Sequence, residues 1–204
     1  MNQTNILADV EVPTVVANFD SMFELQHALQ ERLKSLPVGP VNWQHAASKC
    51  VYWAHCVRAE TVELIEWLDK RESEAWLKEL QMEAIDIVHF VFNIGLEIGI
   101  QQIDIVAYEL GYNHNQWTIN VNRIKAAATL LSDNIVKLID QLPWKTWKTY
   151  EGLKLDSDLI KMCYQQVFSA CLLLCNACEL DRQAIIDMYY AKNKVNHQRQ
   201  DNGY

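Results

Sequence analysis

Residues 59–99 read AETVELIEWLDKRESEAWLKELQMEAIDIVHFVFNIGLEIG and contain two helical segments, each with acidic residues three positions apart. The first segment carries Glu60 and Glu63, and the second carries Glu83 and Asp86. Residues i and i+3 share one face of an α-helix, with Cβ atoms about 5–6 Å apart. Each pair can therefore direct its oxygens to one point, and a hairpin of the two helices would bring four carboxylates together.

These four carboxylates predict a metal site. Oxygen ligands without Cys or His favour Mg²⁺, with Mn²⁺ as an alternative, and such ions also contact substrate phosphates. Acidic residues at i and i+3 are common on solvated helix faces, so E-x-x-E alone is a weak signal. The second pair is more informative, because Glu83, Asp86, Asn93 and Glu97 form one polar stripe on an otherwise apolar helix. Buried carboxylates are costly unless they are paired or bound to metal.

The whole chain predicts a single all-α domain, residues 1–204. Half of the residues are hydrophobic and only six are Gly and four Pro. Apolar residues recur at helical spacing, and no segment alternates in the manner of a strand. We predict an N-terminal arm at 1–18 and helices at about 20–35, 43–70, 75–100, 101–111, 117–142 and 156–179 and from 180 or 181 onward.

The formal charge of −8 disfavours nucleic acid and anionic membranes as partners. The first residues lack the basic and apolar segments of a signal peptide, and the longest apolar run, 88–100, is too short to span a bilayer. We therefore expect a cytoplasmic protein with reduced thiols. Cys171, Cys175 and Cys178 have the spacing C-x3-C-x2-C of some iron–sulfur sites, but they lie in a continuous apolar helix, which favours a packing role.

Two segments suggest an internal duplication. The sequence ELIEWL at 63–68 matches KLIDQL at 137–142, and an offset of 83 residues places Glu83 on Gln166 and Asp86 on Ser169. In this hypothesis the second copy has lost its acidic residues, which predicts one metal site per chain.

The C-terminal residues 190–204 supply a basic patch. Lys192, Asn196 and Arg199 are spaced to share one helix face, and Arg can bind a phosphate through two hydrogen bonds. The alternative is a frayed polar terminus. Near the other end of the chain, Gln26 and Gln30 share a face at i and i+4, and an amide beside a pocket can read a base edge.

Three motifs together resemble a known family. They are E-x-x-E followed about twenty residues later by E-x-x-D with I-V-H-F, the tail Y-x-x-K-N-x-x-N-x-x-R-Q-x-x-G-Y, and LQHALQERL at 25–33. The pattern resembles the all-α nucleoside triphosphate pyrophosphatase superfamily, which includes MazG-type enzymes. This resemblance implies a helical bundle with a four-helix core. Within the superfamily, the tail resembles the dimeric dUTPase branch and is especially similar to phage dCTP/dUTP pyrophosphatases.

The resemblance implies roles for individual residues. Metal ligands would be Glu60, Glu63, Glu83 and Asp86, and Glu63 or Glu60 would accept the proton of the attacking water. Phosphates would be bound by Lys192, Asn196, Arg199 and Tyr204. The nucleoside would be bound by Gln26, Gln30, Trp76 and Asn93.

The resemblance also implies a reaction, Mg²⁺-dependent hydrolysis of dUTP to dUMP and pyrophosphate by a homodimer. Activity on dUDP or dCTP stays open, because a Gln amide can turn to suit either uracil or cytosine. A broad house-cleaning pyrophosphatase is a second interpretation. A non-enzymatic helical interaction protein is a third, and it predicts that the four acidic side chains point to different places.

Overall fold

The computed structural model describes residues 19–32, 41–70, 75–100, 119–145, 147–150 and 154–202. Over these ranges the chain forms helices and no strand, which confirms the all-α prediction. The helices are α1 Phe19–Arg32, α2 Trp43–Leu68, α3 Trp76–Glu97, α4 Val121–Asp140, α5 Ser157–Ala177 and α6 Arg182–Asp201. The predicted arm at 1–18, the predicted helix at 101–111 and Tyr204 lie outside the described residues.

The core consists of two helical hairpins. Helices α2 and α3 pack along each other as one antiparallel pair, and α4 and α5 form the other. The pairs meet through α3 with α5 and through α2 with α4, which gives the expected four-helix core. Helices α1 and α6 pack against each other and both cover α3. The C-terminal residues up to 201 therefore continue a packed helix.

Short polar side chains fix where several helices begin. Asn42 Oδ1 accepts a hydrogen bond from the His45 backbone N–H at 3.2 Å, and Asp181 Oδ1 accepts one from the Ala184 N–H at 2.7 Å. Asn120 and Asp156 cap α4 and α5 in the same way. Such caps satisfy amide groups that the first helical turn leaves unpaired.

Helix α3 lies at the centre of the bundle and approaches α5 closely at Gly95. A Cβ atom at this position would overlap the Tyr164 hydroxyl, which donates to the Val91 carbonyl at 3.0 Å. The missing side chain therefore lets α3 and α5 meet, and it sets the position of the residues that α3 presents to α2. Although α3 is strongly apolar, neither it nor any other helix in the described ranges is long and apolar enough to cross a membrane.

Candidate active site

An acidic cluster lies between α2 and α3. Glu60 of α2 and Glu83 and Asp86 of α3 each offer a carboxylate oxygen, and these three oxygens lie within 4.8 Å of one another. The spacing of three on α3 places both of its acids toward α2, as the sequence predicted. All three side chains are half-buried. The interaction-protein interpretation predicted divergent acids, and this convergence contradicts it.

The cluster carries an excess of negative charge. Burial, a hydrogen bond with Glu83 and the charges of Asp86, Glu63 and Glu83 together raise the pKa of Glu60 to about 8. Burial also raises the pKa of Glu83, although hydrogen bonds with Glu60 and with the Trp67 side chain act in the opposite direction. Glu60 therefore holds a proton at neutral pH and shares it with Glu83, which relieves the repulsion between the two carboxyl groups.

Asp86 is paired with the only lysine that reaches the cluster among the described residues. Lys192 Nζ of α6 donates to Asp86 Oδ2 at 2.8 Å, and both side chains are largely buried. Burial raises the pKa of Asp86, while Lys192 and Arg199 partly offset this. The basic residues of the C-terminal motif thus face the acidic residues directly, as an anion-binding role beside a metal requires.

Glu63 lies apart from this group. Its side chain is exposed and lines an open groove on the outer face of α2 together with His55, Arg58 and Glu66. Its charge nevertheless raises the pKa of both Glu60 and Glu83, so it remains close enough to act on the cluster. The role of Glu63 as a ligand and as the base stays a prediction.

A cavity of about 330 Å³ adjoins the acids and joins most of the predicted site residues. It is lined by residues of α1, α2, α3 and α6, which are Gln26, Leu29, Gln30, Trp53, Glu60, Asp86, His89, Phe90, Asn93, Lys192, Asn196, Arg199 and Gln200. Asp86, paired with Lys192, and Asn93, paired with Gln26, lie seven residues apart on α3, which is about 10 Å along the helix, so a charged pair and an amide pair line different parts of the cavity. This division suits a ligand with a charged end and a planar end.

The aromatic wall of the cavity consists of Trp53 and Phe90, whose rings stack with centroids 5.8 Å apart at 25°. The sequence had assigned this role to Trp76. Trp76 is the first residue of α3 and does not line the cavity. Because a helix rises about 1.5 Å per residue, it lies about 25 Å along α3 from Asn93. Its contact with a base stays a prediction, and Trp53 and Phe90 are better placed.

Buried amides form the floor of the cavity. Gln26 Nε2 donates to Asn93 Oδ1 at 2.7 Å, and Gln26 Oε1 accepts from the Tyr189 hydroxyl at 2.7 Å. His89 Nδ1 lies 2.9 Å from the same Gln26 oxygen. The His89 ring stacks on the Tyr189 ring, with centroids 4.0 Å apart. Gln30, from the same helix as Gln26, is also buried and lines the cavity.

The sequence analysis assigned no role to Trp53, His89 and Phe90, which line the cavity, or to Tyr189, which contacts Gln26. A signal for His89 was present, because it lies three residues after Asp86 and four before Asn93, on the same polar stripe. Burial lowers the pKa of His89 to about 3, with a contribution from Lys192, so the ring is neutral. Tyr189 is the first residue of the tail motif and Phe90 is the last residue of I-V-H-F, whereas Trp53 carried no distinguishing pattern.

The acidic cluster fits a divalent cation. Its donors are carboxylate oxygens alone, which suits Mg²⁺ or Mn²⁺ rather than softer metals. The raised pKa of Glu60 indicates a site that lacks positive charge, which a cation would supply. Fewer protein ligands are needed for Mg²⁺ than for Ca²⁺, because Mg²⁺ keeps several waters and contacts substrate phosphates.

Comparison with known proteins assigns this arrangement to a family. No curated protein and no solved structure gives a significant match. A protein-family model described as dUTPase, named dUTPase_2, matches residues 18–204. That range includes both acidic segments, the amide floor and the C-terminal motif. The chain therefore belongs to the helical dUTPase_2 family, whose activity is that of a dUTP diphosphatase.

Proposed function

We propose that the chain hydrolyses dUTP to dUMP and pyrophosphate in a Mg²⁺-dependent reaction at the α2–α3 acidic cluster. The observation that carries this proposal is the convergence of Glu60, Glu83 and Asp86 within 4.8 Å, next to Lys192. Glu63 completes the ligand set in the proposal. A bound Mg²⁺ would neutralise phosphate charge and lower the pKa of a bound water.

The cavity gives the nucleotide an orientation. The base lies at the end with Gln26, Gln30 and Asn93, where Trp53 and Phe90 provide an apolar surface for stacking. The phosphates lie at the acidic end, where Lys192, Asn196 and Arg199 of α6 line the wall. Tyr204 is proposed as a further phosphate ligand from the C-terminal motif. This placement explains how a chain of net charge −8 holds an anionic substrate.

Glu60 and Glu63, both on α2, have different roles in proton transfer in this proposal. Glu60 is half-buried and holds its proton in the free protein, so it must lose that proton before it can bind a cation. Glu63, one turn further along, is exposed and has access to water. We assign to Glu63 the role of base for the attacking water, with Glu60 beside it. Lys192 and Arg199 stabilise charge on the leaving pyrophosphate.

The ion pair between Lys192 and Asp86 must open during this cycle. A cation at Asp86 would replace the lysine as its partner, and Lys192 would then be available for phosphate. The same helix carries Asn196 and Arg199, so this exchange couples metal binding to phosphate binding.

The reaction is tested by separating the products formed from dUTP with Mg²⁺ and with a chelator. We expect dUMP and pyrophosphate only with Mg²⁺. Hydrolysis that is unaffected by the chelator, or release of a single orthophosphate, would contradict the proposal.

The alternative functions differ in which nucleobase the enzyme accepts. A panel of dUTP, dCTP, dTTP and UTP separates a dUTP-selective enzyme from a dCTP-preferring one and from a broad house-cleaning pyrophosphatase. Equal rates on all four would favour the last. A homodimer is also proposed, from the resemblance to dimeric dUTPases, and light scattering on the purified chain measures its mass.

A further inference from the structure

The Tyr189 hydroxyl is fully buried and contacts Gln26, a residue proposed to bind the base. It lies 2.7 Å from Gln26 Oε1 and 3.2 Å from the Met22 carbonyl oxygen. Met22 belongs to the interior of α1, where its carbonyl already accepts the Gln26 backbone N–H four residues on. The shorter distance matches an O–H···O bond. The hydroxyl proton is therefore directed mainly at the Gln26 side chain.

His89 supports the same orientation of the Gln26 amide. Its Nε2 atom is buried and has no hydrogen-bond partner among the described residues. An unpaired N–H in the interior costs more than an unpaired acceptor, so the ring carries its proton on Nδ1. That proton points at Gln26 Oε1, 2.9 Å away. Two donors, from Tyr189 and His89, thus hold the Gln26 oxygen on one side.

The orientation of Gln26 determines that of Asn93. With its oxygen held by two donors, Gln26 directs its NH₂ group to Asn93 Oδ1. The Asn93 amide is then turned so that its own NH₂ group can donate to a ligand in the cavity. No contact among the described residues engages that NH₂ group. An amide N–H matches the 4-carbonyl of uracil, whereas the 4-amino group of cytosine would place a donor against a donor.

We propose that Tyr189 is a specificity-determining residue, whose hydroxyl fixes the Gln26–Asn93 amide pair in the orientation that accepts uracil and rejects cytosine. The inference rests on the proposed placement of the base beside Gln26 and Asn93. Tyr189 does not contact the base itself and acts through Gln26, so it is a positioning residue. Without the hydroxyl, one of the two donors to the Gln26 oxygen is lost, so the orientation in which both amides have turned and present an acceptor to the cavity becomes less unfavourable.

The test compares kcat/KM for dUTP and dCTP in the wild-type protein and in Tyr189→Phe, which keeps the ring stacked on His89. We expect the dUTP-to-dCTP ratio to fall about tenfold, the effect of about one hydrogen bond. The change should lie mainly in KM, because the amides bind the base before and during the reaction. A general loss of stability would lower kcat/KM for both substrates alike and leave their ratio unchanged.

Tyr190→Phe is the matched control. The Tyr190 hydroxyl donates to Ser21 Oγ at 2.7 Å across the same contact between α6 and α1, and it does not touch Gln26. We expect the dUTP-to-dCTP ratio of Tyr190→Phe to equal that of the wild type. A wild-type ratio near one, or equal loss on both substrates in Tyr189→Phe, would overturn the inference.

Two further measurements keep the outcome decisive. If the wild-type protein hydrolyses neither nucleotide, the proposed function fails, and calorimetric binding of dUMP and dCMP then tests the same ratio. If Tyr189→Phe does not fold, Gln26→Met is compared with Gln26→Met/Tyr189→Phe, in which both partners are apolar. The two should show the same ratio, because the hydroxyl acts only through the amide. A further fall in the double variant would overturn the inference.

Discussion

The two hairpins of the core differ in how their polar groups are satisfied. In the α4–α5 hairpin, Asn134 Nδ2 donates to the Gln166 carbonyl at 3.2 Å and Lys137 Nζ lies 3.5 Å from Asn134 Oδ1. Arg123 donates to Asn176 Oδ1 at 2.8 Å. These groups pair with one another. In the α2–α3 hairpin, three carboxylates converge instead, and Lys192 and Arg199 of α6 partly relieve them.

The difference locates the proposed function in one of the two hairpins. Each hairpin is a pair of helices packed along each other, and the α4–α5 pair does so without converging acids among its described residues, so such packing does not require the acids of α2–α3. Like charges held together reduce stability, and such groups persist where a ligand compensates for them. The duplication hypothesis accounts for one acidic hairpin beside a neutral one, and it stays a prediction.

The largest expected effect is loss of activity when the acidic hairpin is changed. Asp86→Asn removes a carboxylate from the cluster, and we expect kcat to fall at least about 100-fold. Lys137→Met changes a charge in the α4–α5 hairpin and should leave kcat unaltered. The measurement is steady-state hydrolysis of dUTP with saturating Mg²⁺. A similar loss in both variants would remove the functional distinction between the hairpins.

A second change tests the contact between the hairpins. Gly95→Ala places a methyl group against the Tyr164 ring, and we expect it to lower the free energy of unfolding by about 1–3 kcal/mol. Adding Tyr164→Phe should recover part of this loss, because it removes the overlapping hydroxyl. Urea unfolding of the three proteins measures the effect. A stabilised Gly95→Ala would mean that α3 and α5 are further apart than described.

The acidic hairpin should also respond to pH. The pKa of Glu60 is about 8 in the folded protein against an ordinary value of 4.5, so the folded state binds the extra proton between these values. Stability of the metal-free protein should therefore be highest below that interval and fall as pH rises through about 8. Mg²⁺ must displace the proton, so its stabilising effect should be larger at about pH 9 than at about pH 6.

Thermal unfolding with and without Mg²⁺ measures this dependence. Glu60→Gln should flatten the pH profile and abolish the response to Mg²⁺. Glu66→Gln, an exposed residue on the same helix, should change neither. A Mg²⁺ response that is equal at both pH values would argue against proton displacement at Glu60.

The smallest effect is expected at the helix ends. Two residues beyond the end of α3 lies Gly99 at φ +78°, and two residues beyond the end of α5 lies Glu179 at φ +63°. The residue after each donates a backbone hydrogen bond to the carbonyl five residues earlier. A left-handed conformation costs about 1–2 kcal/mol for a residue with a side chain. Glu179→Gly should therefore stabilise the protein by up to about 1 kcal/mol. If Glu179→Gly does not raise the free energy of unfolding, the similarity of the two helix ends is contradicted.

The sequence predicted those features that depend on the spacing of residues along one helix. The positions of the helices followed from apolar spacing, and the convergence of Glu83 and Asp86 on Glu60 followed from the i, i+3 rule. It did not predict the pairing of Tyr189 with Gln26, because their contact depends on how α6 rotates against α1. The exposure of Glu63, although it lies one turn from Glu60, likewise depends on the angle at which α2 packs on α3.

The position of a bound cation tests the central claim most directly. Crystals grown with Mn²⁺ and a non-hydrolysable dUTP analogue would locate the ion by anomalous scattering. We expect a peak bonded to carboxylates of Glu60, Glu83 and Asp86 and to phosphate oxygens, with Lys192 moved from Asp86 to the phosphates. Bound nucleotide with no ion among these three residues, or an ion held elsewhere in the chain, would contradict the account.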